Sequence, residues 1–142
     1  MKLSGNKYNM VMDIQVLTPQ RTVWRAIADE VVLPGIIGQI GVLNGHATLV
    51  TSLDTGLLRI RLDQKWTPII LGGGLAEIDR DIVTVLATDA EEVFSVDSIK
   101  ANNELQEARS IVENAKDSKE RVEASIDVKK ATARIEAIKY LT

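Results

Sequence analysis

The sequence contains no cysteine, and this absence excludes a disulfide framework and thiolate chemistry. Histidine is nearly as scarce, because His46 is the one histidine in the chain. A Ser-His-Asp site through His46 stays open, but no strained nucleophile elbow accompanies it. Its position after Asn44-Gly45 also suits a loop histidine bonded to the backbone, or one in a protein contact. We therefore predict a protein that is not an enzyme and that uses no cofactor and no metal.

Aromatic residues are scarce, and net positive charge and long apolar runs are missing. Only five residues are aromatic, so the core must be built mainly from Ile, Leu, Val and Ala. The net charge of −3 argues against a nucleic-acid binder that relies on a basic surface. No apolar run approaches the roughly 18–20 residues that span a bilayer. Residues 1–9 are polar and lack the apolar core of a secretory signal, so we expect a disordered N-terminal extension.

Glycine and proline are confined to one part of the chain. Every glycine and every proline lies at or before Gly74, and residues 75–142 contain neither. Because these residues mark turns and interrupt helices, the shift predicts two parts with different structure. We place the boundary so that residues 10–95 form a strand-rich domain and residues 96–142 form a helical one.

Short alternating runs in the first part predict strands. Leu58, Ile60 and Leu62 alternate with charged residues, which puts the apolar side chains on one face. The other runs that we predict as strands are residues 14–17, 26–33, 49–53, 66–71 and 82–86. Asn44-Gly45 and residues 79–81 are predicted turns. Short strands at this spacing favour a sandwich or a barrel.

The second part carries two apolar stripes at helical spacing. The first stripe is Ala101, Leu105, Ala108, Val112 and Ala115, and the second is Ala124, Val128, Ala131, Ile135 and Ile138. Such narrow stripes predict an antiparallel pair of helices, with Asp97 or Ser98 capping the first and Asp117 the second. Alanine buries little area, so we expect a marginal hairpin that depends on a neighbouring surface.

Two glycine clusters could suggest phosphate or dinucleotide binding. Gly72, Gly73 and Gly74 are followed by a strand pattern instead of the Gly-Lys-Ser/Thr and helix of a P-loop. We therefore predict a bulge or a close backbone approach there. The glycines between residues 35 and 41 likewise lack the following helix of a dinucleotide fold.

Charge is distributed unevenly between the two predicted helices. Acidic residues outnumber basic ones from residue 97 to 117, and basic residues outnumber acidic ones from 118 to 142. Two interpretations stay open at this point. The charges form a solvated face with i,i+4 pairs, or the second helix presents a basic surface to an acidic protein.

Several segments, in a fixed order, carry a resemblance to a known family. They are Leu33-Pro34, Gly38-Gln39-Ile40-Gly41-Val42-Leu43-Asn44-Gly45-His46-Ala47, and residues 54–60, 73–78 and 83–86. Together they resemble epsilon subunits of F-type ATP synthases, and residues 66–71 favour the plastid and cyanobacterial branch. The resemblance implies an α+β fold, with an N-terminal antiparallel β-sandwich of two sheets followed by a C-terminal antiparallel two-helix hairpin.

The resemblance also implies a function, partners and a location. The chain would be a non-catalytic central-stalk (rotor) subunit that couples the gamma subunit to the c-subunit ring. Ile37, Gly38, Gln39 and His46 would contact the ring. Many relatives carry acidic residues in this loop, so this chain would rely on packing and neutral hydrogen bonds. It would lie peripherally on the stromal side of a chloroplast thylakoid membrane, or on the cytoplasmic side of a cyanobacterial thylakoid or bacterial inner membrane.

The helical part would regulate ATP hydrolysis. The resemblance implies that the helical part can lie folded on the sandwich or extend into the alpha/beta catalytic head, where basic residues of the last helix meet an acidic loop of a beta subunit. Arg121, Lys129, Lys130 and Arg134 are the matching candidates here. The alternative is a nucleotide-sensing hairpin with Asp127, Lys130 and Arg134 at the ATP, although lysine replaces the arginine of the family's Ile-Asp-x-x-Arg-Ala pattern and lacks its bidentate phosphate contact.

Overall fold

The computed structural model describes residues 11–141, and its first part is a sandwich of two five-stranded sheets. The strands are β1 Met12–Leu17, β2 Thr22–Ala28, β3 Glu30–Pro34, β4 Gln39–Leu43, β5 Leu49–Leu53, β6 Gly56–Leu62, β7 Lys65–Leu71, β8 Gly74–Asp79, β9 Ile82–Ala87 and β10 Ala90–Glu92. The first sheet has the order β2-β1-β9-β8-β5, and the second has the order β10-β7-β6-β3-β4. The extension predicted for residues 1–9 lies outside the described residues.

One strand pair departs from the predicted antiparallel arrangement. β1 runs parallel to β9, with Ile14 opposite Val83 and Val16 opposite Val85, whereas the other pairs within the described sheets are antiparallel. Alternation of apolar residues identifies the buried face of a strand but says nothing about the direction of its neighbour. The predicted antiparallel sandwich of two sheets is confirmed, and this parallel pair is a feature of the described sheets that the alternation did not indicate.

The prediction of one strand over residues 26–33 is wrong. The chain leaves the first sheet at Ala28 and enters the second sheet at Glu30. Asp29 forms the crossing, where its backbone N–H donates to the Arg61 carbonyl at 2.7 Å. Ala28 and Val31 are both fully buried on either side of this crossing, and the two charged residues Asp29 and Glu30 interrupt the apolar run between them.

An aliphatic core fills the space between the two sheets. The inward-facing side chains from the second sheet include Val31, Leu33, Leu58, Ile60, Ile69 and Leu71, and those from the first sheet include Ile14, Val16, Ile78, Val83 and Val85. Each of these side chains is at most 2% exposed. Burying a side chain of this size stabilises the fold by about 1.5–3 kcal/mol, so this core can support the sandwich.

Of the glycines at 72–74, Gly74 marks the predicted close backbone approach, and Gly72 lies close to neighbouring side chains. A Cβ added to Gly74 would lie 1.9 Å from the Leu86 carbonyl oxygen, and one added to Gly72 would lie 2.0 Å from Asp89 Oδ1. A side chain at either position would overlap its neighbour. These glycines therefore serve strand packing at the start of β8.

Two helices follow the sandwich and form a hairpin. They are α1 (Ser98–Glu113) and α2 (Ser118–Ala137), and a short 3₁₀ turn (Ile138–Tyr140) extends α2. Both predicted N-caps are present, because Asp97 accepts from the N–H of Ile99 and Lys100, and Asp117 accepts from the N–H of Glu120. Among residues 11–141, no helix combines the length and apolar character needed to cross a membrane.

The helices pack through the predicted alanine-rich seam, and α2 has a second buried face. Ala101, Leu105 and Ala108 of α1 and Ala124 and Ala131 of α2 are the most buried members of the seam. Ala133 and Ala137 are buried as well, but against the second sheet. The outer face of the second sheet is therefore the neighbouring surface on which the hairpin was expected to depend.

Candidate functional site

The contact between α2 and the second sheet has a small apolar centre. Ala133 and Ala137 pack against Ile70 of β7 and Val93, which directly follows β10. Leu57, Val96 and Leu141 lie around this centre. Burial raises the pKa of Glu92, the last residue of β10, above its usual value. Because two of the four central residues are alanines, the apolar area that holds the hairpin down is limited.

Three ion pairs surround this centre, and each uses a predicted inhibitory residue. Lys129 Nζ lies 3.0 Å from Asp54 Oδ1, and Lys130 Nζ lies 2.6 Å from Asp89 Oδ2. Arg134 forms a two-pronged contact with Glu91, with Nη2 to Oε1 at 3.0 Å and Nη1 to Oε2 at 3.3 Å. We call Asp54, Asp89 and Glu91 the carboxylate row. Three of the four candidate inhibitory residues are therefore paired with acidic residues of this chain's own sandwich.

The strength of these pairs is limited by solvent. The Arg134 side chain is 27% exposed and that of Lys130 is 33% exposed, but their carboxylate partners are more than half exposed. Ion pairs in such positions contribute about 0–1 kcal/mol each and weaken as salt is added. Arg121 does not reach the carboxylate row: its Nη2 lies 3.5 Å from the Ala115 carbonyl at the turn between the helices. The hairpin is thus held by several weak contacts.

A polar and aromatic cluster holds the C-terminal end of the hairpin. The Arg59 guanidinium on β6 donates to the Tyr140 hydroxyl and, through Nη2, to Gln39 Oε1 at 3.0 Å. It also lies over the rings of Tyr140 at 4.9 Å and Trp66 at 5.7 Å. The two rings meet edge to face with centroids 5.6 Å apart. We call Gln39, Arg59, Trp66 and Tyr140 the Arg59 cluster.

Sequence reasoning predicted Gln39 as a contact residue but missed the rest of the Arg59 cluster. The alternation along β6 placed Arg59 on the outer face, where an exposed arginine is ordinary. Tyr140 lies 81 positions further along the chain, so no local pattern could bring the two residues together. The one available signal was Tyr140 itself, because an aromatic residue is unusual on a solvated helix and indicates a contact.

The loop between β3 and β4 presents apolar side chains to solvent. Ile36 and Ile37 are exposed and line an open groove of about 660 Å³, together with Ile40 and Val50. Gly38 and Gln39, the other two loop residues predicted to contact a ring, line the same groove. The structure therefore gathers Ile37, Gly38 and Gln39 into one surface, which we call the β3–β4 loop surface.

His46 lies away from the β3–β4 loop surface. β4 runs from Gln39 to Leu43, and His46 follows it at the opposite end of that strand. At roughly 3.3 Å per residue, the strand alone separates the two ends by more than 10 Å. His46 Nδ1 lies 2.7 Å from the Ala47 carbonyl oxygen, and the preceding Gly45 donates its N–H to Asp81 at 2.7 Å. This is the backbone-bonded loop histidine considered above, and it does not share a surface with Ile37.

The outer face of the first sheet carries a second exposed apolar surface. Leu75 of β8 and Leu86 of β9 are paired across the two strands, and both are about half exposed. Val50 on β5 and Ile82 on β9 are also exposed on this sheet. We call these four residues the first-sheet surface. It lies on the side of the sandwich opposite the hairpin, which covers the second sheet.

The residues of the nucleotide alternative follow one side of α2. Asp127, Lys130 and Arg134 are spaced three and four positions apart, so they share a helical face. Lys130 and Arg134 are engaged with Asp89 and Glu91. A phosphate group placed between them would face these two carboxylates, which disfavour an anion.

Comparisons with known proteins agree with this architecture. Residues 11–93 match the model of the family described as ATP synthase, Delta/Epsilon chain, beta-sandwich domain. The chain is 62% identical over 133 residues to an ATP synthase epsilon chain, chloroplastic, of Thalassiosira pseudonana, which covers 94% of this chain and 100% of the relative. It is 44% identical over 128 residues to the corresponding chain of Porphyra purpurea, covering 90% of this chain and 96% of the relative.

A solved structure supports the fold. A chain from the OSCP/F1/c-ring structure of Euglena gracilis mitochondrial ATP synthase matches with a TM-score of 0.78 and 20% identity, over 96% of this chain and 86% of that chain. At this identity the likeness concerns the fold alone. The family model and the near full-length relatives together assign the sequence: the chain belongs to the ATP synthase delta/epsilon family, and within it to the chloroplast type of epsilon chain.

Proposed function

We propose that this chain is a non-catalytic rotor subunit of a proton-translocating ATP synthase, located in the chloroplast at the stromal side of the thylakoid membrane. The observation that carries the proposal is its 62% identity, over 94% of its length, to a chloroplast epsilon chain. The Euglena gracilis structure that shares this fold is an ATP synthase complex that includes a c-ring. In this role the chain transmits rotation through its surfaces, and ATP chemistry and proton flow belong to other subunits.

The first-sheet surface is suited to a stable contact with the gamma subunit. Leu75, Leu86, Val50 and Ile82 expose apolar side chains on a rigid sheet, on the side away from the hairpin. Burying such a patch stabilises association by about 25 cal/mol per Å² of apolar area before the costs of association are subtracted. A rotor part needs a contact of this kind because it must not detach under torque.

The β3–β4 loop surface is suited to the polar loops of the c-subunit ring. Ile37 offers apolar packing, and the Gln39 amide offers a neutral donor and acceptor. A contact of this composition depends less on salt than an ion pair does. His46 contributes to the ring contact only if the ring surface extends past the far end of β4.

The hairpin is suited to act as a brake on ATP hydrolysis. The same basic side chains would make ion pairs in its docked position and in its position in the catalytic head. Lys129, Lys130 and Arg134 are held by the carboxylate row in the docked position. An acidic loop of a beta subunit offers the same chemistry in the catalytic head. A basic side chain can satisfy one of these partners at a time, so docking on the sandwich competes with inhibition. Arg121, at the tip of the hairpin, is available to the head without any exchange of carboxylate partner.

The test is ATP hydrolysis by a catalytic head that lacks its epsilon subunit, reconstituted with variants of this chain. We expect the full chain to inhibit hydrolysis, and a chain that ends after Phe94 to bind without inhibiting. Glu91→Gln removes a docked partner alone and should strengthen inhibition. Replacing Lys129, Lys130 and Arg134 by alanine should abolish inhibition, although it also frees the hairpin.

The opposite signs of these variants separate a brake from a general loss of structure. Lys119→Ala is the matched control, because Lys119 is an exposed base on α2 outside the carboxylate contacts. If both the full and the truncated chain bind and neither inhibits, the brake is wrong and the chain is a coupling subunit only. If neither binds to a head from a close relative, the rotor assignment itself fails.

A further inference from the structure

The Arg59 cluster joins two surfaces that the proposed function treats separately. Gln39 belongs to the β3–β4 loop surface, and Tyr140 belongs to the turn that ends the hairpin. The Arg59 guanidinium lies between them and donates to both side chains. The planar guanidinium has fixed donor directions, so its contact with Gln39 constrains its orientation toward Tyr140.

The surroundings of Arg59 make Gln39 important for this orientation. Trp66 and Tyr140 stack around the guanidinium, but a ring face holds a cation without fixing the direction of its N–H groups. Arg61, two positions along β6, is held by ion pairs to Glu30 at 3.2 Å and to Asp29 at 3.8 Å, so Gln39 Oε1 is paired with Arg59 and not with Arg61. Gln39 Oε1 is therefore the acceptor that aligns Arg59 from the side of the loop.

We infer that Arg59 is a positioning residue that couples the β3–β4 loop surface to the docking of the hairpin. A partner that takes the Gln39 carbonyl oxygen as its own acceptor withdraws it from Arg59 and loosens the hold on Tyr140. By linkage, release of the hairpin makes Gln39 more available to that partner. The inference rests on the proposed function, because it takes the loop partner to be the polar loops of the c-subunit ring.

Undocking of the hairpin can be measured with a single cysteine in the full chain. The sequence has no cysteine, and Val93 is 5% exposed beneath Ala133 and Ala137. A thiol in Val93→Cys is labelled only when the hairpin opens, so its labelling rate reports even a rare undocked state. The labelling rates of chains with and without substitutions at Gln39 are compared under conditions in which the sandwich stays folded.

The expected effects have opposite signs. Gln39→Ala should speed labelling roughly two- to fivefold, because Arg59 loses the acceptor that aligns it toward Tyr140. Gln39→Glu should slow labelling below the parent rate, because a carboxylate binds Arg59 more strongly than an amide does. Ile37→Ala, in the same loop but outside the Arg59 cluster, should leave the rate unchanged. A general loosening of the loop could not produce the slower rate of Gln39→Glu.

A second measurement tests the coupling in the assembled enzyme. Labelling of Val93→Cys is followed in a gamma-containing head with and without the c-subunit ring. Addition of the ring should speed labelling of the chain with Gln39 and should have no effect on the Gln39→Ala chain. If adding the ring leaves the labelling rate unchanged in both chains, the coupling is wrong.

The two measurements distinguish the failure of this inference from the failure of the proposed function. If Gln39→Ala and Ile37→Ala give the same rate in the isolated chain, the Arg59 link is wrong, whatever the loop binds. If the isolated chain behaves as expected but neither substitution weakens binding to the ring, the link stands. The ring contact of the proposed function is then wrong.

Discussion

The sandwich and the hairpin bury different kinds of side chain. The sandwich encloses large aliphatic residues such as Leu33, Leu58 and Ile60, which are at most 2% exposed. The hairpin encloses mostly alanine. Among the buried positions of the described helices, Leu105 is the one residue larger than alanine. Each buried large side chain stabilises by about 1.5–3 kcal/mol, whereas one methyl group is worth about 0.8 kcal/mol. The sandwich can therefore fold by itself, while the hairpin needs a surface.

The difference suits a part that must stay fixed and a part that must move. A rotor surface has to keep its shape under load, and a dense aliphatic core with little freedom provides that. The brake that we propose for the hairpin would have to exchange one set of contacts for another at a small net free energy, and weak ion pairs over a thin apolar centre are suited to that. The following predictions test this contrast, from the largest expected effect to the smallest.

The first prediction compares one leucine from each region. Leu58→Ala should lower the free energy of unfolding by about 2–5 kcal/mol, because it leaves a cavity in a core that cannot collapse. Denaturant unfolding followed by the fluorescence of Trp24 measures it, in a chain with Trp66→Phe, because Trp66 contacts Tyr140 at the end of the hairpin and would also report its undocking. Leu105→Ala should reduce the helical circular dichroism with little change in the sandwich transition. Equal effects on that transition would mean that the two regions unfold as one unit.

The second prediction concerns glycines in the sandwich. Gly74→Ala should destabilise by about 1–3 kcal/mol, because its Cβ would overlap the backbone of the neighbouring strand. Gly41→Ala is the control: the nearest atom to its added Cβ is a Glu30 carboxylate oxygen at 4.0 Å. Thermal melting of both variants provides the comparison. If the Gly74→Ala chain is as stable as the Gly41→Ala chain, the backbone at the start of β8 can shift to accept a side chain, and the predicted overlap is wrong.

The third prediction concerns the ion pair between Arg134 and Glu91. Glu91→Arg should weaken docking of the hairpin by roughly 0.5–1 kcal/mol, and Arg134→Glu should do the same. The double exchange should restore most of the loss, because the pair is re-formed with its charges reversed. Labelling of Val93→Cys in these variants measures docking. If the double variant remains as loose as the single ones, Arg134 acts through packing and not through charge.

The fourth prediction is the absence of an effect of ATP. Millimolar ATP should leave the melting temperature of the isolated chain unchanged, because Lys130 and Arg134 face Asp89 and Glu91 in the docked hairpin. The parent chain without nucleotide and with pyrophosphate are the controls. A rise of several degrees that is specific to ATP would favour the nucleotide-sensing alternative and would assign Asp127, Lys130 and Arg134 to it.

Sequence patterns predicted the parts of the molecule that depend on neighbours along the chain. The caps at Asp97 and Asp117 follow from side chains that reach N–H groups two or three residues away. The seam through Leu105 follows from helical periodicity, and the alternation in β6 follows from the pleat of a strand. The break at Asp29 was missed, although Asp29 and Glu30 interrupt the apolar run, because two charged residues in a row do not by themselves show that the chain changes sheets.

The candidate surfaces were only partly predictable, because they combine residues that are distant in sequence. Lys129, Lys130 and Arg134 were identified as contact residues through family resemblance, but nothing near them indicated Asp54, Asp89 and Glu91 as their docked partners. Ile37 and Gln39 were grouped with His46 because the motif is continuous in sequence. An extended strand separates residues that a motif places side by side.

By itself, the sequence determined that the first part is built of strands and the second of two helices, where the helices begin, and to which family the chain belongs. These properties depend on local periodicity, on capping side chains and on motifs in a fixed order. Only the tertiary structure decided that β1 runs parallel to β9, that the alanine face of α2 covers the second sheet, and that Arg59 connects Gln39 to Tyr140. The reason is physical: a local pattern specifies which face of an element is apolar, whereas the partner of that face depends on how the distant elements pack.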